Sequence, residues 1–155
     1  MIVTAWRLAK TRYAATVFDG EGARIYGGRW NSPGIRVAYA SESLALATLE
    51  VLANLQIVRT LSAYSVCRAH FDEKLVVSVD PGSLPANWRE YPAPPELQAL
   101  GDTWIDGGQS LVMKVPSVII PTESNYLINP AHPKFSSLTI DPPEPFVRDP
   151  RLLGG

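Results

Sequence analysis

The sequence predicts an α+β domain made of short mixed sheets flanked by helices. Segments with strand character outnumber segments with helix character, and the two kinds follow one another in mixed order rather than in strict alternation. The 14 prolines lie mainly in three clusters, at 81–95, 116–133 and 142–150, and mark loops between apolar segments. Because 155 residues suit one domain, we expect a single domain over 1–155.

The predicted strands are short apolar or alternating segments bounded by glycine, proline or polar residues. They span 2–8, 36–40, 62–69, 74–79, 110–115, 118–120, 125–128 and 138–140. Between the first two, glycines and a proline bracket a turn-rich segment at 27–34.

Two helices are predicted. The clearer one covers about 43–55, since leucine, alanine, valine and threonine fill it and Ser41 or Ser43 can cap it. The second covers about 95–105, where a proline suits the first turn and two glycines at 107–108 end the helix. The tail at 141–155 is rich in proline and charge, which predicts a surface strap.

Composition and charge exclude several classes of protein. The net charge of −1 creates no broad field that would attract nucleic acid or an anionic membrane. No apolar run approaches the ~20 residues of a membrane helix, and residues 1–10 lack the features of a secretory signal. A cytoplasmic location is therefore expected.

The few cysteines and histidines also limit the chemistry. Cys67 is the single cysteine, which excludes an intramolecular disulfide, and its position in a predicted strand favours a small core residue over a nucleophile. With only His70 and His132 besides, no zinc site can be assembled, so we expect no metal. Phosphate-loop, dinucleotide-fold, nucleophile-elbow and zinc-protease motifs are absent from the sequence.

Glu50 is the most informative residue because it interrupts a strongly apolar helix. Such a helix is expected to be buried on most of its faces. An unpaired carboxylate there is costly or loses its charge, so Glu50 is expected to line a cleft and to have a partner. The alternative is a narrow solvent-exposed stripe at helical spacing, shared with Ser43, Ala47 and Asn54.

Arg29 is the second anomaly, because it follows two glycines and precedes Trp30 in the turn-rich segment. Glycine allows the backbone to approach a ligand closely, and arginine binds phosphate with two hydrogen bonds. The alternative is a surface arginine on a turn, and Arg7 carries the same ambiguity.

Tyr39 ends a predicted strand just before the Glu50 helix. It could lie at the same edge of the sheet as Glu50 or be half in the core.

Two later segments contain further polar candidates. Ser117 introduces one hydroxyl into an apolar stretch after a proline, which is also typical of a turn. His132 lies between two prolines and is expected to be a loop residue rather than a catalytic base.

These segments, in this order, resemble the RES-domain family, which is named after an arginine, a glutamate and a serine. The resemblance covers about 6–133, the motif-bearing core of the chain. It rests on Gly28-Arg29-Trp30-Asn31, Tyr39-Ala40-Ser41, Leu49-Glu50-Val51-Leu52, Val115-Pro116-Ser117, and the segment from Asn125 to Pro133.

The resemblance implies a toxin of the RES–Xre toxin–antitoxin systems with a fold similar to the ADP-ribosyltransferase core. The implied activity is degradation of NAD, and some members are similar to protein ADP-ribosyltransferases. The implied partner is an Xre-type antitoxin with a DNA-binding domain, which blocks the active site and represses the operon. By the same analogy we expect a homo-oligomer of the toxin within the toxin–antitoxin complex.

The resemblance also implies roles for particular residues. The implied catalytic residues are Glu50, Arg29, Tyr39 and Ser117. The implied NAD-binding residues are Arg7, Arg29, Tyr39, Ser117 and Asn125. Ser110 is the alternative to Ser117 as the family serine.

The chemistry of NAD agrees with these assignments. Two arginines suit the pyrophosphate and a tyrosine face suits the cationic nicotinamide ring. As nicotinamide leaves, positive charge builds on the ribose, and a preorganised carboxylate such as Glu50 can stabilise it by roughly 3–4 kcal/mol. Ser117 would orient ribose or phosphate.

Other functions remain open. The acceptor can be water, inorganic phosphate or a protein side chain, because all three share the first step. A non-catalytic binding module is an alternative from another class, although such a module would have no need for the full set of polar residues. A ribonuclease is disfavoured by the near-neutral net charge and the lack of a histidine acid–base pair.

Overall fold

The computed structural model describes residues 1–54 and 63–152, and these form the predicted α+β domain. The described strands are β1 (Ile2–Lys10), β2 (Ala38–Ser41), β3 (Tyr64–Asp72), β4 (Val76–Ser78), β5 (Val112–Pro116), β6 (Ser124–Ile128), β7 (Thr139–Ile140) and β8 (Glu144–Pro145). The helices are α1 (Glu21–Tyr26), α2 (Leu44–Asn54) and α3 (Pro95–Gly107). Several short 3-10 helical segments connect them, and the longest, Thr11–Asp19, is interrupted by a kink at Thr16.

One mixed sheet runs through the domain in the order β4-β5-β6-β2-β1-β3-β7, and β8 also pairs with β3. The pair β4–β5 is parallel and the other pairs are antiparallel. Strands β1 and β3 pair along nine residues, whereas β1 and β2 meet only at Trp6 and Ser41. The sheet therefore consists of two well-paired halves with a narrow junction between β1 and β2.

The described residues form three apolar clusters. One contains Cys67, which is 1% exposed and confirms the prediction of a core cysteine. A second joins α3 to the β5–β6 half of the sheet through Leu97, Met113 and Leu127. In the third, α2 packs on the other half, where Val51 meets the cluster around Leu8.

Both predicted helices are confirmed, because their signals are local in sequence. The Ser43 hydroxyl accepts a hydrogen bond of 3.1 Å from the backbone N–H of Leu46 and so caps α2. Helix α3 has proline in its first turn and ends at Gly108, whose φ of 61° suits glycine. The predicted end of the first helix at residue 55 and the predicted strand start at 62 lie outside the described residues.

The expectation that α2 is buried on most faces is wrong. Leu46, Ala47 and Thr48 are buried, but Leu49 is 40% exposed, and Ala45 and Ala53 are exposed. The helix covers one side of the sheet, so its apolar composition exceeds what this packing requires. The alternative, a solvent-exposed stripe that Glu50 shares with Ser43, Ala47 and Asn54, is wrong for Ala47, which is buried.

The predicted strand at 118–120 is wrong, and the segment forms a turn. The hydroxyl of Ser117 accepts hydrogen bonds of 3.1 Å from the backbone N–H groups of Ile119 and Ile120, which bends the chain locally. The 3-10 helix at Thr11–Asp19 and helix α1 were not predicted from the sequence, because polar and aromatic residues obscured their helical pattern.

The described part of the tail lies along β3. Strands β7 and β8 pair with it, and the Asp141 carboxylate contacts Arg68 and His70 at 3.2 and 2.8 Å. Within the described ranges, none of the helices has the length and apolar character needed to span a membrane.

Candidate active site

The candidate site forms around the carboxylate of Glu50, which points from α2 toward the turn after β5. Ser117 donates a hydrogen bond of 2.9 Å to Oε1 of Glu50. Ser117 is 0% exposed, and its oxygen also accepts from the two N–H groups of its own turn. One donor and two acceptor positions are all that a serine hydroxyl offers, so Ser117 is fully occupied in holding Glu50.

Ser110, the alternative family serine, lies in a different environment. Its hydroxyl accepts a hydrogen bond of 2.8 Å from Nε1 of Trp104 and donates to the carbonyl of Val112. These contacts join the end of α3 to β5. Of the two serines, Ser117 is the one that contacts Glu50.

Arg29 lies near Glu50 at the turn between α1 and β2. Its Nη1 donates hydrogen bonds to the carbonyls of Trp88 and Glu90, at 2.9 and 3.1 Å. Burial lowers the pKa of Arg29, and the negative charge of the Glu50 carboxylate partly offsets this shift. Among the described residues they form no direct ion pair.

Tyr39 connects the turn of Arg29 to the sheet. Its hydroxyl donates to Oδ1 of Asn31 at 2.5 Å and accepts from the backbone N–H of Trp30 at 3.1 Å. Burial raises the pKa of Tyr39 well above its usual range, so the phenol stays neutral. A Cβ atom at Gly28 would lie 2.7 Å from the Tyr39 hydroxyl, which explains the glycine at this position.

Arg7 reaches the same region from β1. Its Nη1 donates a hydrogen bond of 2.7 Å to the carbonyl of Tyr39, and burial lowers its pKa without removing its charge. Within the described part of the chain, Nε of Arg7 is buried and has no hydrogen-bond partner. A guanidinium that its surroundings leave incompletely satisfied fits a site for an anionic group.

Asn125 lies on β6, the strand next to β2 in the sheet. It is opposite Ser41 across β2 and β6, and its Oδ1 accepts a hydrogen bond of 2.7 Å from the Ser41 hydroxyl. Ser41 in turn is opposite Trp6 of β1, at the junction between the two halves of the sheet. Asn125 thus lies near the site but makes no direct hydrogen bond to the other candidate residues that the structure describes.

One face of α3 holds the turn of Arg29, a contact that was not predicted from the sequence. Gln98 donates from Nε2 to the carbonyls of Gly28 and Asn31, at 3.0 and 3.2 Å. Oδ1 of Asp102 accepts from the N–H of Ser32 at 2.9 Å. At Gly101, between them, a Cβ atom would lie only 1.7 Å from the carbonyl oxygen of Trp30. Gln98, Gly101 and Asp102 are spaced as i, i+3 and i+4, so the sequence alone could have indicated that they share one face of the helix.

Asn31 completes the support of the turn. It is 0% exposed, and the two hydrogens of its Nδ2 group are shared among the carbonyls of Ala23, Ser32 and Ile35, at 2.9, 3.2 and 3.0 Å. His132, by contrast, accepts a hydrogen bond from the N–H of Lys134 in an exposed loop, as predicted. No group of three or more metal-binding side chains occurs within residues 1–54 and 63–152.

Comparison with known proteins identifies the family. The RES domain model matches residues 4–149. A protein of Yersinia enterocolitica named Toxin Res is 38% identical over 148 residues, which cover 95% of this chain and 97% of the relative. The Prs ADP-ribosylating toxin of a Sphingobium species is 37% identical over 99% of this chain and 98% of its own length.

The fold has a counterpart among solved structures. A chain in the crystal structure of the M. tuberculosis MbcT–MbcA toxin–antitoxin complex aligns with a TM-score of 0.76. The alignment covers 94% of this chain and 85% of that chain at 19% sequence identity, so it concerns the fold. From the family match and the near full-length relatives, this chain belongs to the RES-domain toxin family.

Proposed function

We propose that this chain is the toxin of a toxin–antitoxin system and that it cleaves the bond between nicotinamide and ribose in NAD. The observation that carries the proposal is the hydrogen bond from Ser117 to Glu50, a carboxylate whose charge opposes the lowering of the pKa of Arg29. A buried hydroxyl fixes this carboxylate, and two partly buried hydrogen bonds of the Tyr39 hydroxyl fix the turn that bears the guanidinium of Arg29. The site therefore offers one negative and one positive group in fixed positions.

Glu50 has the central role in this proposal. As the glycosidic bond breaks, nicotinamide leaves as a neutral ring and positive charge develops on the ribose. A preorganised carboxylate stabilises this charge directly or through a ribose hydroxyl, and a group of this kind contributes roughly 3–4 kcal/mol. Nicotinamide is already a good leaving group, so the step needs no general acid.

Ser117 acts as a positioning residue rather than as a ligand of ribose or phosphate. Its hydroxyl has no free donor or acceptor position once the three bonds described above are made. This changes the role that we expected for it from the sequence. Holding the carboxylate in one orientation lowers the reorganisation needed in the transition state.

Arg29 and Arg7 are proposed to bind the pyrophosphate. Arg29 uses Nη1 for two carbonyls, and Arg7 uses Nη1 for one, so each guanidinium is oriented while other N–H groups have no partner within the described residues. Charge-assisted hydrogen bonds to phosphate oxygens would satisfy those groups. Asn125 is proposed to bind a peripheral part of NAD.

Tyr39 has two tasks in the proposal. Its hydroxyl is committed to the turn of Arg29, and its ring remains the candidate surface for nicotinamide. In this proposal the hydroxyl of Tyr39 supports the protein, and its ring contacts the substrate.

The second candidate activity is transfer of ADP-ribose to a protein, because one near full-length relative is named an ADP-ribosylating toxin. Hydrolysis, phosphorolysis and protein transfer would share Glu50 and differ in the acceptor.

We further propose an Xre-type antitoxin partner, a homo-oligomer of the toxin within that complex, and a cytoplasmic location. The structural neighbour belongs to a toxin–antitoxin complex, which supports a protein partner.

Incubation of the purified chain with NAD, followed by mass analysis of the products, tests the proposal. Free nicotinamide with ADP-ribose indicates hydrolysis, and a phosphorylated ADP-ribose formed only with inorganic phosphate indicates phosphorolysis. Transfer of label from NAD to protein in a cell extract indicates ADP-ribosylation. Intact NAD under all three conditions would refute the enzymatic proposal.

Glu50→Gln removes the negative charge with little change in shape, and we expect it to lower the turnover of NAD by roughly 10²–10³-fold. Glu96→Gln is the control, since it makes the same chemical change at an exposed position in the first turn of α3. Normal turnover by a folded Glu50→Gln protein would remove Glu50 from the mechanism.

A further inference from the structure

The segment 88–91 runs between the two turns that build the candidate site. Arg29 donates to the carbonyls of Trp88 and Glu90 on one side. On the other side, Arg89 donates from Nε and Nη2 to the carbonyl of Val118, at 3.1 and 2.9 Å. Val118 directly follows Ser117, the residue that holds Glu50. The segment therefore joins the Arg29 turn to the Ser117 turn and borders the site between them.

The segment is fixed rather than loosely attached. Trp88 packs against the apolar cluster that joins α3 to the sheet. Its position is thus set by one apolar contact and by hydrogen bonds from two arginines. Residues that follow directly are held at the edge of the site.

Tyr91 is the next residue, and it is 85% exposed. Its neighbour Glu90 provides a carbonyl that accepts a hydrogen bond of 3.1 Å from Nη1 of Arg29, so Tyr91 follows directly on the residue that Arg29 binds. A large aromatic ring left in solvent, one residue after a carbonyl that Arg29 binds, offers a flat apolar surface for a base. Tyr39 differs, because it is partly buried and its hydroxyl is occupied.

We infer that Tyr91 contacts a base of NAD and contributes to the specificity of the site for a dinucleotide. The inference rests on the proposed function, since it assigns a further contact for the same substrate. With Arg29 on the pyrophosphate, a base at one end of the dinucleotide comes within reach of the ring of Tyr91. Stacking depends on the aromatic face and not on the phenol hydroxyl.

Binding of NAD is measured by calorimetry in a Glu50→Gln background, in which turnover during the titration is expected to be slow. Tyr91→Ala is expected to weaken binding about tenfold or more, and Tyr91→Phe to bind nearly as the parent does. Tyr13→Ala is the control, because Tyr13 is also an exposed tyrosine, 57% accessible, and stacks on Arg12 instead. Thermal unfolding of each variant establishes that it is folded.

A second ligand identifies the base. If Tyr91→Ala weakens binding of ADP as well as of NAD, the ring contacts adenine, and if only NAD is affected, it contacts nicotinamide. Equal binding of both ligands by Tyr91→Ala and its parent overturns the inference and leaves the proposed function intact. Absence of both NAD binding and NAD turnover in the protein with Glu50 unchanged would instead refute the proposed function.

Discussion

Ser117 and Glu50 are separated by 67 residues in the chain, yet the serine hydroxyl lies 2.9 Å from the carboxylate. The pair couples the apolar helix α2 to the turn after β5. Because Ser117 is fully buried and Glu50 is only partly buried, the fixed partner lies behind the carboxylate and the other side of Glu50 is accessible. This arrangement fixes one oxygen of the carboxylate and leaves Glu50 partly accessible.

Ser117→Ala should lower the turnover number for NAD by roughly 10–100-fold, because a hydrogen bond to a charged group contributes about 1.5–3 kcal/mol. The substitution also leaves two backbone N–H groups without an acceptor, so some loss of thermal stability is expected. A double-mutant cycle separates the effects. In a Glu50→Gln background, Ser117→Ala should cause little further loss of turnover, whereas fully additive losses would contradict the positioning role.

Gly101→Ala should destabilise the protein by about 1–3 kcal/mol or more, because the added Cβ would collide with the carbonyl oxygen of Trp30. The turn of Arg29 would have to move away from α3, so affinity for NAD should fall as well. Gly107→Ala in the same helix is the control, since its Cβ would meet nothing within 4 Å. Denaturant unfolding of both variants checks the prediction, which fails if the two are equally stable.

Tyr39→Phe should cost about 1–3 kcal/mol of stability, because the fully buried Asn31 would lose the donor to its Oδ1. We also expect a higher KM for NAD, since the N–H of Trp30 loses its acceptor and the turn of Arg29 loosens. Tyr126→Phe is the control, because the hydroxyl of this buried tyrosine makes no hydrogen bond with the described residues. Similar unfolding midpoints and KM values for the two variants would contradict the assigned role.

The contact between the tail and β3 should weaken in acid. The hydrogen bond from His70 lowers the pKa of Asp141, so the contact stabilises the fold above the usual carboxyl range and is lost as the pH falls through that lowered pKa. Hydrogen exchange at the N–H of Asp141, which donates to the carbonyl of Arg68, reports on this contact. Protection should drop on acidification more than in α3, and Asp141→Asn should remove most of that pH dependence. Unchanged protection in acid would show that backbone pairing alone holds the tail.

Cys67 should be unreactive in the folded protein. Its thiol is 1% exposed and burial raises its pKa, so both access and the thiolate fraction are low. A chromogenic disulfide reagent at about pH 8 should label it only after unfolding in urea. Rapid labelling of the native protein would show that β3 opens readily.

The two main helices could be predicted from the sequence because their signals are local. The serine that caps α2, the proline that starts α3 and the glycine that ends it act within one turn of the chain. The candidate site residues Glu50 and Arg29 could likewise be proposed from the sequence, since a lone acid in an apolar helix and an arginine after two glycines are visible without coordinates. The turn at Ser117 was mistaken for a strand, because a hydrogen-bonding side chain overrode the preference of the isoleucines.

What only the tertiary structure decided is which groups meet. The sequence left Ser110 and Ser117 as alternatives and gave no function to Gln98, Asp102 or Tyr91. The hydrogen bonds that build the candidate site join distant parts of the chain. Arg29 and Trp88, Ser117 and Glu50, and Ser32 and Asp102 are 59 to 70 residues apart. Hydrogen bonds of this kind depend on sheet register and helix packing, and these are set by the burial of many side chains at once rather than by any local pattern.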